Sequence, residues 1–178
     1  MEFAPTVTKV VLTGVESTGK STLAAALATR LQTVWVPEYA REYLTTLNRP
    51  YQQEDLVQIA RGQLAAEARL LKKANRYLFC DTGMLVLKIW SEYKYGGCDP
   101  FIIQQLNQRE SVYILCGLED ISWEYDPLRE NPGLTERQHL HTIYQKELEK
   151  LSVPYVVVTG NVGERVQRVV NFLTTSIK

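Results

Sequence analysis

The residues best placed to do chemistry form one unbroken run, Gly14-Val15-Glu16-Ser17-Thr18-Gly19-Lys20-Ser21, followed by Thr22. The run matches G-x-x-x-x-G-K-[ST] in full. Its glycines permit a tight loop whose N–H groups turn inward on phosphate oxygens. A helix that starts there adds its partial positive charge. In such a loop Lys20 reaches the β- and γ-phosphates of a nucleoside triphosphate, and Ser21 offers its hydroxyl to Mg²⁺. The expected cofactors are ATP and Mg²⁺. Gly14, Glu16, Ser17, Thr18, Gly19, Lys20, Ser21 and Thr22 are the binding residues. The alternative is a chance match in a glycine loop. The context counts against it: apolar Lys9–Leu12 precedes the loop, and Leu23, Leu27 and Leu31 recur every four residues after it.

A triphosphate site needs a further carboxylate and an acceptor. Asp81 ends the apolar run Tyr77–Cys80 and is the candidate second metal-linked group, beside Ser21. Asp81-Thr82-Gly83 also reads as a helix N-cap, and both roles can hold together. Glu38 follows the second apolar run, within Pro37-Glu38-Tyr39-Ala40-Arg41-Glu42-Tyr43. A carboxylate there accepts a proton from a substrate hydroxyl, or orients it. The competing reading is a charged first helical turn, with Glu38 paired to Arg41 at i, i+3. Which of Glu38 and Asp81 is the base stays open. Arg129 is expected to stabilise the transferring phosphoryl group as a catalytic residue with Lys20, Glu38 and Asp81. Arg137 is a second candidate for that role, but is expected instead on the outer face of a helix capped by Thr135 and Gln138. His139 and His141 read as surface residues, not metal ligands.

These groups must be held by elements. Short apolar runs at Thr8–Thr13, Thr33–Pro37, Tyr77–Asp81, Ser111–Cys116 and Tyr155–Thr159 lack clean alternation, as suits strands buried on both faces of a parallel sheet. Between them lie helical patterns. Leu56, Ile59, Leu64, Ala68 and Leu71 form one stripe, Leu140, Ile143 and Leu151 a second, and Val166, Val169 and Leu173 a third after an Asn161/Glu164 capping box. The alternation predicts one α/β domain over 1–178: a P-loop NTPase, kinase-like, three-layer sandwich with a five-stranded parallel sheet. Gly96–Pro100 reads as a loop. Residues 120–134 mix turn formers, charges and Trp123 and read as a lid. Thr159-Gly160-Asn161 either passes near the base of the nucleotide or is a plain strand-to-helix turn.

The 178 residues include 45% hydrophobic residues, and 20 basic residues balance 20 acidic ones. No basic field for nucleic acid is expected. No signal peptide or membrane span is legible, so the expectation is a cytoplasmic protein with a small-molecule substrate and no nucleic-acid or membrane partner. Oligomeric state is unreadable. Cys80, Cys98 and Cys116 lack the spacing of a disulfide frame or zinc site. Cys80 and Cys116 read as core residues and Cys98 as a loop thiol.

Residues 14–22, Pro37–Tyr43, Asp81-Thr82 and Trp123–Arg129 occur in an order that resembles the ribosylnicotinamide kinase domain of NadR-type proteins, over nearly the whole chain. The resemblance implies a P-loop kinase that phosphorylates the 5′-hydroxyl of nicotinamide riboside with MgATP, giving nicotinamide mononucleotide. It implies that Glu38, Tyr39, Arg41 and Glu42 lie near the acceptor and Asp81 at the reaction centre. It also implies a closing segment with Trp123, Asp126 and Arg129, in which Trp123 stacks on the nicotinamide ring. Gly83 departs from the family, which often has an acid there. The nucleotidyltransferase and DNA-binding modules of NadR-type proteins are not expected in this chain. Two other readings compete: a kinase for another nucleoside or small metabolite, and a nucleotide-dependent ATPase or switch. The absence of an Asn-Lys-x-Asp sequence disfavours a GTPase.

Overall fold

The computed structural model describes residues 7–107, 111–119, 123–130 and 133–176. Five parallel strands form one sheet in the order β2-β3-β1-β4-β5. They are β1 (Thr8–Thr13), β2 (Val34–Val36), β3 (Tyr77–Asp81), β4 (Val112–Cys116) and β5 (Tyr155–Val158). Each lies inside its expected run. Aromatic and aliphatic side chains dominate β3 and β4, and every residue of those two strands is buried.

The helices are α1 (Lys20–Arg30), α2 (Tyr39–Thr46), α3 (Gln53–Leu71), α4 (Met84–Tyr95), α5 (Pro100–Asn107), α6 (Leu134–Leu151) and α7 (Val162–Ser176). Side chains alternate along the strands, so each strand feeds two cores. Val10, Leu12, Phe79 and Ile114 pack with Leu23 and Leu27 of α1 and with Val169 and Leu173 of α7. Val11, Leu78, Cys80, Tyr113 and Leu115 face α3, α4, α5 and α6. The result is the expected three-layer sandwich. Burying each such side chain contributes roughly 1.5–3 kcal/mol.

The strand order places the site. From β1 the chain crosses to edge strand β2, returns through β3, and then passes to β4 on the far side of β1. The loops after β1 and β3 therefore diverge around one crevice at the carboxyl edge, where open parallel sheets bind ligands.

Several local expectations are corrected. The buried face of α3 is Leu56, Ile59, Ala60, Gln63 and Glu67, while Ala68 and Leu71 are exposed. Glu67 is buried because Lys9 of β1 pairs with it at 2.7 Å. Helix α6 starts at Leu134 behind Gly133 without a side-chain cap, so Thr135 and Gln138 do not form a capping box. Asn161 and Glu164 do cap α7 reciprocally, at 2.8 and 3.1 Å. Gly96 ends α4 at φ 76°, and Pro100 opens α5 where its missing N–H costs nothing. In the expected lid, 120–122 and 131–132, including Asn131 and Pro132, lie outside the described residues.

Candidate active site

The loop between β1 and α1 lines a cleft of about 880 Å³. Gly14 has φ 126°, and a Cβ there would meet the Cys116 carbonyl oxygen at 2.9 Å, so only glycine fits. Ser17 and Gly19 also take left-handed backbone, with φ 56° and 74°. The Thr18 hydroxyl donates to Val15 O at 2.8 Å and fixes the turn. The Lys20 ammonium donates to Val15 O at 2.7 Å and Gly14 O at 3.1 Å, along the cleft wall. All eight expected nucleotide-binding residues, Gly14, Glu16, Ser17, Thr18, Gly19, Lys20, Ser21 and Thr22, line this cleft.

Asp81 arrives at the end of β3, beside the loop. Its Oδ2 accepts a hydrogen bond from Ser21 Oγ at 2.5 Å. Its Oδ1 is buried with no hydrogen-bond partner among the described residues. The N-cap of α4 is Gly83, so the cap role does not fall to the Asp81 side chain. A buried carboxylate oxygen with no donor, next to a hydroxyl, is a donor set that fits Mg²⁺. Thr82 follows at φ 67°, an uncommon conformation for a β-branched residue, held where its amide donates to Leu12 O at 3.1 Å.

Glu38 lines the same cleft as Lys20. Burial, then the nearby Asp81 carboxylate, push its pKa above the ordinary carboxylate range, and Lys20 and Arg41 oppose the shift. Burial likewise raises Asp81, against the Ser21 hydrogen bond and Lys20. The Glu38–Arg41 pair of the competing reading is not formed among the described residues. Arg41 reaches instead to Asp126 of the closing segment, at 2.7 Å. Two carboxylates of raised pKa beside a lysine can hold or take a proton from a hydroxyl in the cleft.

The closing segment is tied down at several points. Glu124 N donates to Ser17 Oγ at 3.1 Å, and Glu130 N donates to Glu16 Oε2 at 3.0 Å. Arg129 Nη1 donates to Glu124 O at 2.6 Å and to Ser17 Oγ at 3.3 Å, which sets its guanidinium on the cleft wall. Glu130 pairs with Lys94 of α4 at 2.7 Å and accepts from Tyr51 Oη.

Tyr39, Glu42, Trp123 and Asp126, expected at the acceptor, do not line the cleft. The Tyr39 ring lies against Gly62, where a Cβ would come within 1.9 Å of it. Glu42 is exposed on α2. Trp123 sits between two guanidinium groups, Arg129 at 5.8 Å and Arg137 at 5.3 Å from its ring centroid. Asp126 holds Arg41. The aromatic groups on the cleft wall are Trp90 and Tyr93 of α4 and Tyr144 of α6. Trp90 is fixed by its indole N–H, which donates to Tyr51 Oη at 2.7 Å.

Two buried arginines lie behind the loop. Arg137 is buried, not on the outer face of α6, and Arg165 of α7 is fully buried. A signal existed: Arg137 is in phase with Leu140, Tyr144 and Leu148, and Arg165 with Val169 and Leu173, so each occupies the core stripe of its helix. His141 is half-buried rather than on the surface, and burial lowers its pKa.

An AAA domain family model matches residues 9–165. The trifunctional NAD biosynthesis/regulator protein NadR of Escherichia coli (strain K12) is 26% identical over 167 residues, which are 88% of this chain and 41% of that protein. The NadR of Salmonella typhimurium (strain LT2) is 25% identical, with the same coverage. The chain thus spans less than half the length of the curated relatives it matches. A crystal structure of NadR protein in complex with NR aligns with a TM-score of 0.70 and 21% identity over 97% of this chain and 52% of that one. Thymidylate kinase from Ehrlichia chaffeensis aligns with a TM-score of 0.66 and 15% identity, over 95% and 100%. The resemblance to the NadR type and the expected fold are both borne out. The chain belongs to the AAA domain family and has the P-loop kinase fold.

Proposed function

We propose that this chain is an ATP-dependent kinase that phosphorylates the 5′-hydroxyl of nicotinamide riboside to give nicotinamide mononucleotide. The observation that carries the kinase reading is the trio of Lys20, Glu38 and Asp81 lining one cleft, with Asp81 accepting a hydrogen bond from Ser21 of the phosphate loop. The choice of acceptor is supported by the NadR relatives.

In this reading the loop amides and Lys20 hold the triphosphate. Glu38 is the base: it takes the proton from the acceptor hydroxyl as that oxygen bonds to the γ-phosphorus. The bond from phosphorus to the bridging oxygen breaks, and ADP leaves with the electron pair. A raised pKa makes Glu38 a better proton acceptor than an ordinary carboxylate. Ser21 and Asp81 would hold Mg²⁺, which offsets phosphate charge when bound. Arg129 stabilises charge on the equatorial oxygens. Trp123 and Asp126 act at one remove, by positioning Arg129 and Arg41. Trp90 and Tyr93, which line the cleft where Trp123 does not, are the aromatic groups within reach of a pyridinium ring, with Glu130 offsetting the Lys94 charge nearby.

An acceptor panel tests this. With MgATP, ADP release is expected to rise sharply on adding nicotinamide riboside, and less with ordinary nucleosides. Release stimulated only by another nucleoside would reassign the acceptor. Slow hydrolysis that no acceptor accelerates would point to an ATPase or switch.

A further inference from the structure

The phosphate loop is gripped from behind by two buried guanidinium groups. Arg137 Nη2 donates to Glu16 O at 3.2 Å and to Ser17 O at 3.3 Å. Arg165 Nη1 donates to Thr18 O at 2.8 Å. Three successive loop carbonyls are thereby engaged. Arg165 also ties in two other segments, through Nε to Gly160 O at 2.8 Å and Nη2 to Glu119 O at 3.3 Å. The two side chains are 4% and 1% exposed, and neither lines the cleft. They come from opposite layers, Arg137 on α6 and Arg165 on α7.

A peptide unit is planar and trans, so its C=O and the N–H of the next residue point in opposite directions. Anchoring the carbonyls of Glu16, Ser17 and Thr18 outward turns the amides of Ser17, Thr18 and Gly19 the other way. The backbone supports this. Ser17 and Gly19 have positive φ, an alternation of the kind that gathers N–H groups into an anion nest. The cost of burying a guanidinium group is partly met here by carbonyl acceptors in the loop. Its charge sits behind the loop, shielded from water, where it favours an anion in front. Lysine cannot reproduce this, because one ammonium lacks the planar fork that spans Thr18, Gly160 and Glu119.

We propose that Arg137 and Arg165 are positioning residues that set the loop's affinity for phosphate by holding its carbonyls outward and its amides toward the cleft. The proposal rests on Gly14–Ser21 being a phosphate cradle and is independent of the acceptor.

The test is calorimetric titration of the full chain with magnesium tripolyphosphate and with MgADP, below the melting point of each variant. Arg137→Met and Arg165→Lys are expected to weaken both ligands about tenfold, and Arg165→Met further. The two ligands should lose affinity by the same factor, because the loss sits in the phosphate contacts. If a methionine variant fails to fold, Arg165→Lys and Arg137→Lys carry the same readout. Wild-type affinity in folded variants, with only the melting temperature lowered, would overturn the proposal and make both arginines purely structural. If the wild-type chain binds neither ligand, the phosphate-cradle reading itself fails, which is a distinguishable result.

Discussion

The two ends of the cleft are built in different ways. The phosphate end is one contiguous stretch, Gly14–Ser21, fixed by the Gly14 backbone, the Thr18 hydroxyl and buried arginines behind it. The other end, where we propose the acceptor binds, is gathered from α2, α4, α6 and the closing segment, and is held by side-chain bonds such as Arg41–Asp126 and Lys94–Glu130. The first is rigid because backbone geometry sets it. The second depends on long side chains that are partly exposed, whose pairing contributes only about 0–1 kcal/mol each. The same fold recurs in NadR and in thymidylate kinase.

The comparison can be broken most sharply at the phosphate end. Lys20→Ala is expected to remove nearly all turnover, at least about 10³-fold, because phosphate charge loses its closest cation. A steady-state rate near wild type would show that the loop does not hold the reacting phosphates. The next effect belongs to the junction of the two ends. Glu38→Gln should lower kcat by about 10²-fold or more and leave MgADP affinity near wild type. The sign of the pH effect follows from the upward shift: Glu38 is active when ionised, so the rate falls as pH drops through its pKa, above the ordinary 4.5. A kcat/KM profile should carry that acid limb, and the glutamine variant should lose it. Full rate in Glu38→Gln would move the base to Asp81.

Arg129→Ala should act on kcat by about 10²-fold, with a small change in KM for ATP. An equal loss of ATP affinity would make it a ground-state phosphate ligand and place the lid at the phosphate end. The smallest effect is expected at the acceptor end. Lys94→Met or Glu130→Gln should raise acceptor KM no more than about fivefold, in line with an exposed pair. A larger change, seen in initial-rate kinetics at saturating ATP, would mean that this corner is as rigid as the loop.

The same contrast explains what could be read in advance. The loop was legible because its function resides in contiguous residues with a fixed spacing, and the strands because burial on both faces gives unbroken apolar runs. Asp81 was legible for the same reason, as the acid that ends such a run. The partners of Arg41 and the surroundings of Trp123 were not, since Asp126 lies 85 residues beyond Arg41 and nothing local encodes the pairing. The burial of Arg137 and Arg165 was missed for another reason. Charge alone suggested a solvated face, while their phase within the apolar stripes placed them in the core. The burial of Glu67 has no local signal either, since its partner Lys9 is on β1.

In the proposed function this cleft moves the γ-phosphate of ATP to a nucleoside hydroxyl. The most direct measurement is mass analysis of the products after incubation with MgATP and nicotinamide riboside. Nicotinamide mononucleotide formed in equal amount with ADP is the predicted result. ADP accompanied only by inorganic phosphate, with the riboside unchanged, would contradict it.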